Sequence, residues 1–71
     1  MDLRHIAARI RRLDQLSRGL TREHSIMAAS DDPLLYLERQ DYLRALRAAV
    51  AGLESARVVL AKARQRLAGL R

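Results

Sequence analysis

Apolar residues follow a regular heptad pattern near the start of the chain. The pattern runs Leu3, Ile6, Ile10, Leu13, Ser17, Leu20, His24 and Met27, at alternating spacings of three and four. Residues at these spacings share one side of an α-helix, and a sustained alternation is typical of helices that pack along their length. Asp2 precedes the pattern and is a suitable N-cap. The sequence therefore predicts a helix over about 3–29.

A second, longer heptad pattern follows a break at residues 30–33, which read Ser-Asp-Asp-Pro. Pro33 disfavours helical backbone in the preceding residue and suits the first turn of a helix, so Asp32 is predicted to cap it. The pattern then runs Leu35, Arg39, Tyr42, Leu46, Ala49, Leu53, Ala56, Leu60, Ala63, Leu67 and Leu70. The sequence predicts a single domain of the all-α class. It is an antiparallel two-helix hairpin (αα-hairpin) with a turn at about 30–32 and a second helix over about 33–69.

The second pattern divides into a row of large residues and a row of small ones. These rows are Leu46, Leu53, Leu60 and Leu67, and Ala49, Ala56 and Ala63. Alternating large and small residues allows antiparallel helices to approach closely and interdigitate. The layered Leu/Ala pattern resembles the small RNA-binding plasmid regulators that dimerise as four-helix bundles. The resemblance covers core pattern and size, and no sequence motif is shared.

Several apolar positions exceed what a two-helix hairpin needs to cover. They are Leu16, Tyr36, Leu43, Val50, Leu60, Leu67 and Leu70. With a fold-back at residue 31, Leu3 is predicted to lie opposite about residue 59, and the rest of the second helix then has no partner within the chain. We therefore expect these residues to form an interface with a second copy, giving a homodimeric four-helix bundle, or otherwise with a different protein.

The charge balance suggests an alternative function. The chain has fourteen Lys and Arg against eight Asp and Glu, a net charge of +6. The candidate contacts to an anion such as RNA or DNA are Arg4, Arg11, Arg12, Arg18, Arg22, Arg57 and Arg64. In a dimer, rows of these arginines from the two copies could follow the phosphate backbone of a nucleic acid. However, solvated Arg faces are common on helical bundles, and a GC-rich genome also favours Arg codons. In addition, no aromatic residue accompanies these arginines to stack on bases. An adaptor that binds a protein partner is therefore the leading hypothesis, and a nucleic-acid-binding dimer is the alternative.

A third hypothesis comes from the break between the two patterns. The segment Ser-Asp-Asp-Pro-Leu-Leu before a long helix is similar to the hairpin turn of type III secretion needle subunits and their small chaperones. The similarity covers Asp32, Pro33, Leu34 and Leu35 and the overall layout, whereas the basic charge and the C-terminal end differ.

The sequence shows no arrangement typical of catalysis or metal binding. It contains no Cys, and its two histidines, His5 and His24, are nineteen residues apart. It has no Gly-rich phosphate loop, and Asp31 and Asp32 are explained by capping of the turn. We therefore predict a protein that is not an enzyme and takes no metal, cofactor or small-molecule substrate. Without a run of about 20 apolar residues or a signal-peptide pattern, a cytoplasmic location away from membranes is expected.

Two aromatic residues receive separate predictions. Tyr42 is expected to fill the core near the turn, with His24 packed beside it or bonded to Glu38. Tyr36 lies off the main pattern and is expected at the interface, where Tyr is a common anchor.

Overall fold

The computed structural model describes residues 2–30 and 36–70 and contains two α-helices. Helix α1 spans Leu3–Ala29 and helix α2 spans Tyr36–Gly69. They pack against each other side by side, and the particle measures 55 × 15 × 14 Å. This confirms the prediction of an all-helical chain with two packed helices. The predicted cap at Asp32 and Pro33 lies outside the described residues, as does Leu35.

The beginning of α1 is capped as the sequence predicts. Asp2 has an extended backbone, and its Oδ1 accepts a hydrogen bond from the backbone N–H of His5 at 2.9 Å. This bond satisfies one of the N–H groups that a helix leaves unpaired at its start. It also lowers the pKa of the Asp2 carboxyl, because the charged form is the better acceptor.

An arginine near the beginning of α2 forms a hydrogen bond with the C-terminal end of α1. Arg39 donates a hydrogen bond from Nη1 to the carbonyl oxygen of Ser30 at 3.2 Å. A guanidinium at this position neutralises the partial negative charge that a helix carries at its C-terminal end. Arg39 therefore has a structural role at a position where the heptad pattern would otherwise place an apolar residue.

Two side-chain contacts fix the register of the helices. Arg57 Nε lies 2.9 Å from Asp14 Oδ1, and Arg47 Nε lies 3.1 Å from His24 Nε2. Each pair is centred between positions 35 and 36 of the chain, so Leu3 is level with position 68. The prediction that Leu3 lies opposite about residue 59 is wrong, because the pairing is centred about four residues later than the Asp-Asp sequence suggested. Helix α1 thus accompanies α2 almost to its end.

The core lies on a different side of α2 from the one predicted. The buried side chains of the described part of the chain are Ile6, Ile10, Leu43 and Leu46. Leu43 is only 8% exposed, and Val50, one heptad later, is half-buried. Ala49 and Ala56, which were predicted to face α1, are exposed instead. The prediction that Leu43 belongs to an additional outer row is therefore wrong.

The size of the side chains explains this choice. The Leu row of α2 has apolar residues on both sides, with Leu43 and Val50 on one and Ala49 and Ala56 on the other. Burial stabilises a folded chain roughly in proportion to the apolar area removed from water, about 25 cal/mol per Å². Packing α1 against Leu and Val covers more apolar area than packing it against Ala. The small residues are consequently left at the surface.

Candidate functional site

One long side of the hairpin carries an apolar groove between the helices. Its residues on α2 recur at alternating spacings of four and three and are joined by two residues of α1. We call this surface the groove face and define it by Ala45, Ala49, Gly52, Ala56, Val59 and Ala63 of α2 and Leu16 and Gly19 of α1.

A series of hollows follows the groove from Ala49 to Leu67 of α2. Leu16, Gly19 and Leu20 line a hollow together with Ala49 and Leu53. The next hollow towards the chain termini is lined by Leu13, Ala56, Val59 and Leu60, and the last by Ile6, Val59, Ala63 and Leu67. Val59 is 66% exposed in the middle of this series, although it is a large apolar residue. The hairpin therefore presents a long apolar surface with backbone close to its floor.

Charged residues at the two ends of this groove have opposite signs. Arg9 and Arg12 line the groove near the chain termini, as do Lys62 and Arg66. Glu38 lies seven residues before Ala45, on the same side of α2 but near the turn. The groove face is therefore basic at the end with the chain termini and acidic near the turn.

The acidic end also contains a hydrogen bond between the helices. The hydroxyl of Tyr42 donates to Oε1 of Glu23 at 3.0 Å. Because the neutral phenol is the donor and the neighbouring carboxylate opposes a second negative charge, this contact raises the pKa of Tyr42. Tyr42 is 36% exposed, so the prediction that it fills the core is wrong.

The opposite side of the hairpin gathers arginines from both helices. Arg11 and Arg18 lie three residues before and four after Asp14, so all three share one side of α1. Asp14 contacts Arg57 of α2 at 2.9 Å, which places the two helices' arginines on the same surface. We call this surface the basic face and define it by Arg4, Arg11, Arg18, Arg47, Arg57 and Arg64. Of the predicted anion contacts, Arg12 lies at the groove instead, and Arg22, four residues after Arg18, is exposed next to the basic face.

Arg57 is poorly placed for an external anion. It is half-buried between Asp14 and Glu54, with Nη1 3.7 Å from Glu54 Oε1. Its Nε atom is buried, and the N–H does not point at the Asp14 oxygen despite the 2.9 Å separation. The contact is thus an ion pair rather than an aligned hydrogen bond. Two carboxylates already balance this guanidinium.

His24 has a different partner from the ones predicted. Its Nε2 accepts a hydrogen bond from Arg47, and it lines a shallow hollow with Thr21 and Val50 on the side opposite the groove face. The prediction of contact with Tyr42 or Glu38 is therefore wrong. Within residues 2–30 and 36–70, no three carboxylate or imidazole groups are placed so that they could hold a metal ion.

The residues predicted at an interface lie on several different surfaces of the hairpin. Leu16 lies on the groove face, and Leu60 and Leu67 line hollows further along the same groove. Tyr36 and Leu70 are strongly exposed near opposite ends of α2. By contrast, Leu43 is buried and Val50 faces α1 from the other side. Sequence reasoning missed the exposed Ala and Gly row, and the signal available was the larger size of the residues at positions 43 and 50.

No family model matches the chain, and neither does any curated protein or solved structure. The helices that the structure describes include none that is long and apolar enough to cross a membrane.

Proposed function

We propose that this protein is a non-enzymatic helical interaction protein. It self-associates through its groove face into a four-helix bundle and presents its remaining helical surfaces to a protein partner. The observation that carries the proposal is the groove face itself, an exposed apolar surface that follows the heptad spacing of packed helices over most of the hairpin.

The distribution of buried residues supports self-association. Ile6 and Ile10 are buried near the chain termini, and Leu43 and Leu46 are buried near the turn. Between these clusters the facing side chains, such as Leu53, are only partly covered. A chain of 71 residues without disulfides gains little from its own core, and a second copy is a common remedy. A second copy docked on the groove face would cover these partly exposed core side chains.

The size of the surface is adequate for a specific dimer. From Glu38 to Arg66 the side of α2 that carries the groove face extends about 42 Å, at 1.5 Å per residue. With a hairpin 15 Å wide, covering it removes about 600 Å² from water on each copy, or roughly 1,200 Å² in total. This value falls at the lower end of the range for stable, specific protein interfaces.

Two adjacent alanines provide a matched test. Ala49 lies on the groove face, whereas Ala48 lies on the outer side of α2, and both are exposed. We expect sedimentation to show a dimer for the unmodified chain and for Ala48→Glu. For Ala49→Glu, which places a charge in the interface, we expect dimer association to be weakened at least tenfold in favour of monomer. A monomer at all concentrations, or an equally tight Ala49→Glu dimer, contradicts the proposal.

The basic face favours a second candidate function, binding of RNA or DNA. Arg4, Arg11 and Arg18 recur every seven residues on one side of α1, away from the groove face, and remain exposed. In this case affinity should fall steeply with salt, and Arg11→Glu with Arg18→Glu should abolish binding, while Lys62→Glu, which changes a cation at the groove instead, retains it. Equal binding by all three proteins in an electrophoretic shift assay excludes this face.

A further inference from the structure

The groove face is complementary to itself when one copy is reversed. Its side of α2 has Gly52 in the middle, Glu38 fourteen residues before it and Arg66 fourteen residues after it. Ala45 and Val59 lie seven residues to either side of Gly52. Reversal about Gly52 therefore places an acidic residue opposite a basic one, and a small residue opposite a larger one.

The same reversal pairs the other residues of the row favourably. Tyr42, the largest residue on this side of α2, is brought within one residue of Ala63 of the second copy, and Ala49 within one residue of Ala56. Large residues facing small ones allow antiparallel helices to approach closely, and Gly52 facing Gly52 permits the closest approach at the centre. The row thus matches its own reverse in both size and charge.

We propose that two copies dock through their groove faces with their turns at opposite ends, so that α2 packs on α2 about a two-fold axis at Gly52. This inference rests on the proposed self-association. A two-fold axis requires that the same surface serve on both copies, and the reversed row meets that requirement. Glu38 of each copy then lies opposite Arg66 of the other.

The alternative packing brings like charges together. With both turns at the same end, α2 of one copy lies over α1 of the other, and Val59 faces Arg12 while Arg66 faces His5. The basic ends of the two groove faces, which contain Arg9 and Lys62, then meet each other. Like charges across an interface suppress a pairing, so the reversed arrangement is favoured.

Disulfide trapping distinguishes the two arrangements, because the chain contains no Cys of its own. A disulfide forms only between Cα atoms within about 7 Å. We expect an equimolar mixture of Ala45→Cys and Val59→Cys chains to yield a mixed disulfide on mild oxidation. A mixture of Ala45→Cys with Ile26→Cys, which the alternative packing brings together, should not. Neither should Ala45→Cys alone, since its two copies are separated by about 21 Å along the helix axis.

A charge exchange provides independent evidence. Glu38→Arg and Arg66→Glu should each weaken the dimer roughly tenfold, since the symmetric interface repeats each change twice, and the double variant should restore it. Exchanging Asp41 and Arg44, an ion pair of 3.8 Å within α2 and off the groove face, is the control and should have no effect on the dimer.

The outcomes separate this inference from the proposed function. A dimer that forms the Ala45–Val59 cross-link supports the reversed arrangement. A dimer that forms the Ala45–Ile26 cross-link, or that lacks the Ala45–Val59 one, overturns the arrangement and leaves self-association intact. A chain that sediments as a monomer overturns both.

Discussion

Gly19 and Gly52 lie at the same level of the hairpin, one on each helix, and both belong to the groove face. Their level follows from the register that the Asp14–Arg57 and His24–Arg47 contacts define. A Cβ atom added to either glycine would meet no other atom within 4 Å. Since glycine inside a helix costs about 0.8–1 kcal/mol relative to alanine, packing within the hairpin gives no reason for either residue. Close approach by a second copy, as proposed above, would give one.

Alanine at these two positions should therefore stabilise the isolated hairpin. We expect Gly19→Ala and Gly52→Ala each to raise the free energy of unfolding by about 0.5–1 kcal/mol, measured by urea denaturation in dilute protein where monomer dominates. At higher protein concentration, Gly52→Leu should weaken the dimer because it places a large side chain at the centre of the groove face. Ala51→Leu, on the outer side of α2, should leave the dimer intact. Destabilisation of the dilute protein by Gly52→Ala would mean that the space around this glycine is already occupied.

Leu43 and Leu37 provide a test of which side of α2 forms the core. Leu43 is buried against α1, whereas Leu37 is 73% exposed six residues earlier. Leu43→Ala should reduce the free energy of unfolding by about 2–3 kcal/mol, a large share of the total for a chain of this size. Leu37→Ala should change it by less than about 0.5 kcal/mol. Equal effects in thermal denaturation followed by circular dichroism would contradict the observed packing.

The helices themselves were predictable because local sequence determines them. Asp2 caps α1 through a bond to a residue three positions later, and α1 follows an uninterrupted heptad pattern. Both features are visible without knowing any tertiary contact.

The side of α2 that faces α1 and the register were not predictable in the same way. Leu46 and Leu53 are flanked by apolar residues on both sides, so the hydrophobic pattern alone does not choose a face. The register depends on which residues of α1 and α2 are level with each other. Moving the centre of that pairing from position 31 to between 35 and 36 moves the partner of Leu3 by about nine positions, or about 13 Å. The error in register then produced the predicted unpaired end of α2, which the structure does not have.

The candidate surfaces were predictable from the sequence only where they depend on the spacing of residues within one helix. Arg4, Arg11 and Arg18 recur every seven residues, which predicts a common side of α1 from the sequence alone. That Arg57 lies half-buried beside Asp14 depends on the pairing of the helices, and no local pattern reveals it.

The Asp14–Arg57 contact should contribute measurably to the register. Its side chains are 37% and 43% exposed, so solvent screens the pair only in part. A double-mutant cycle with Asp14→Ala and Arg57→Ala should give a coupling free energy of about 0.5–1 kcal/mol that decreases with added salt. The control is the Asp41–Arg44 pair within α2, which is about three-quarters exposed and should show a smaller coupling. A coupling at Asp14–Arg57 no greater than this control would show that the pair does not hold the helices in register.

The Tyr42–Glu23 hydrogen bond should make the stability depend on alkaline pH. The contact raises the pKa of Tyr42 above its ordinary value of 10.0, because Glu23 accepts a hydrogen bond from the neutral phenol and opposes the phenolate charge. A group whose pKa is higher in the folded state stabilises that state below the unfolded pKa and loses the contribution as pH rises through the folded pKa. The chain has two tyrosines, so Tyr36→Phe leaves Tyr42 as the one chromophore of this kind. Its absorbance should titrate above pH 10, and adding Glu23→Gln should lower the midpoint. An unchanged midpoint in the Glu23→Gln variant would show that the hydrogen bond to Glu23 does not raise the pKa of Tyr42.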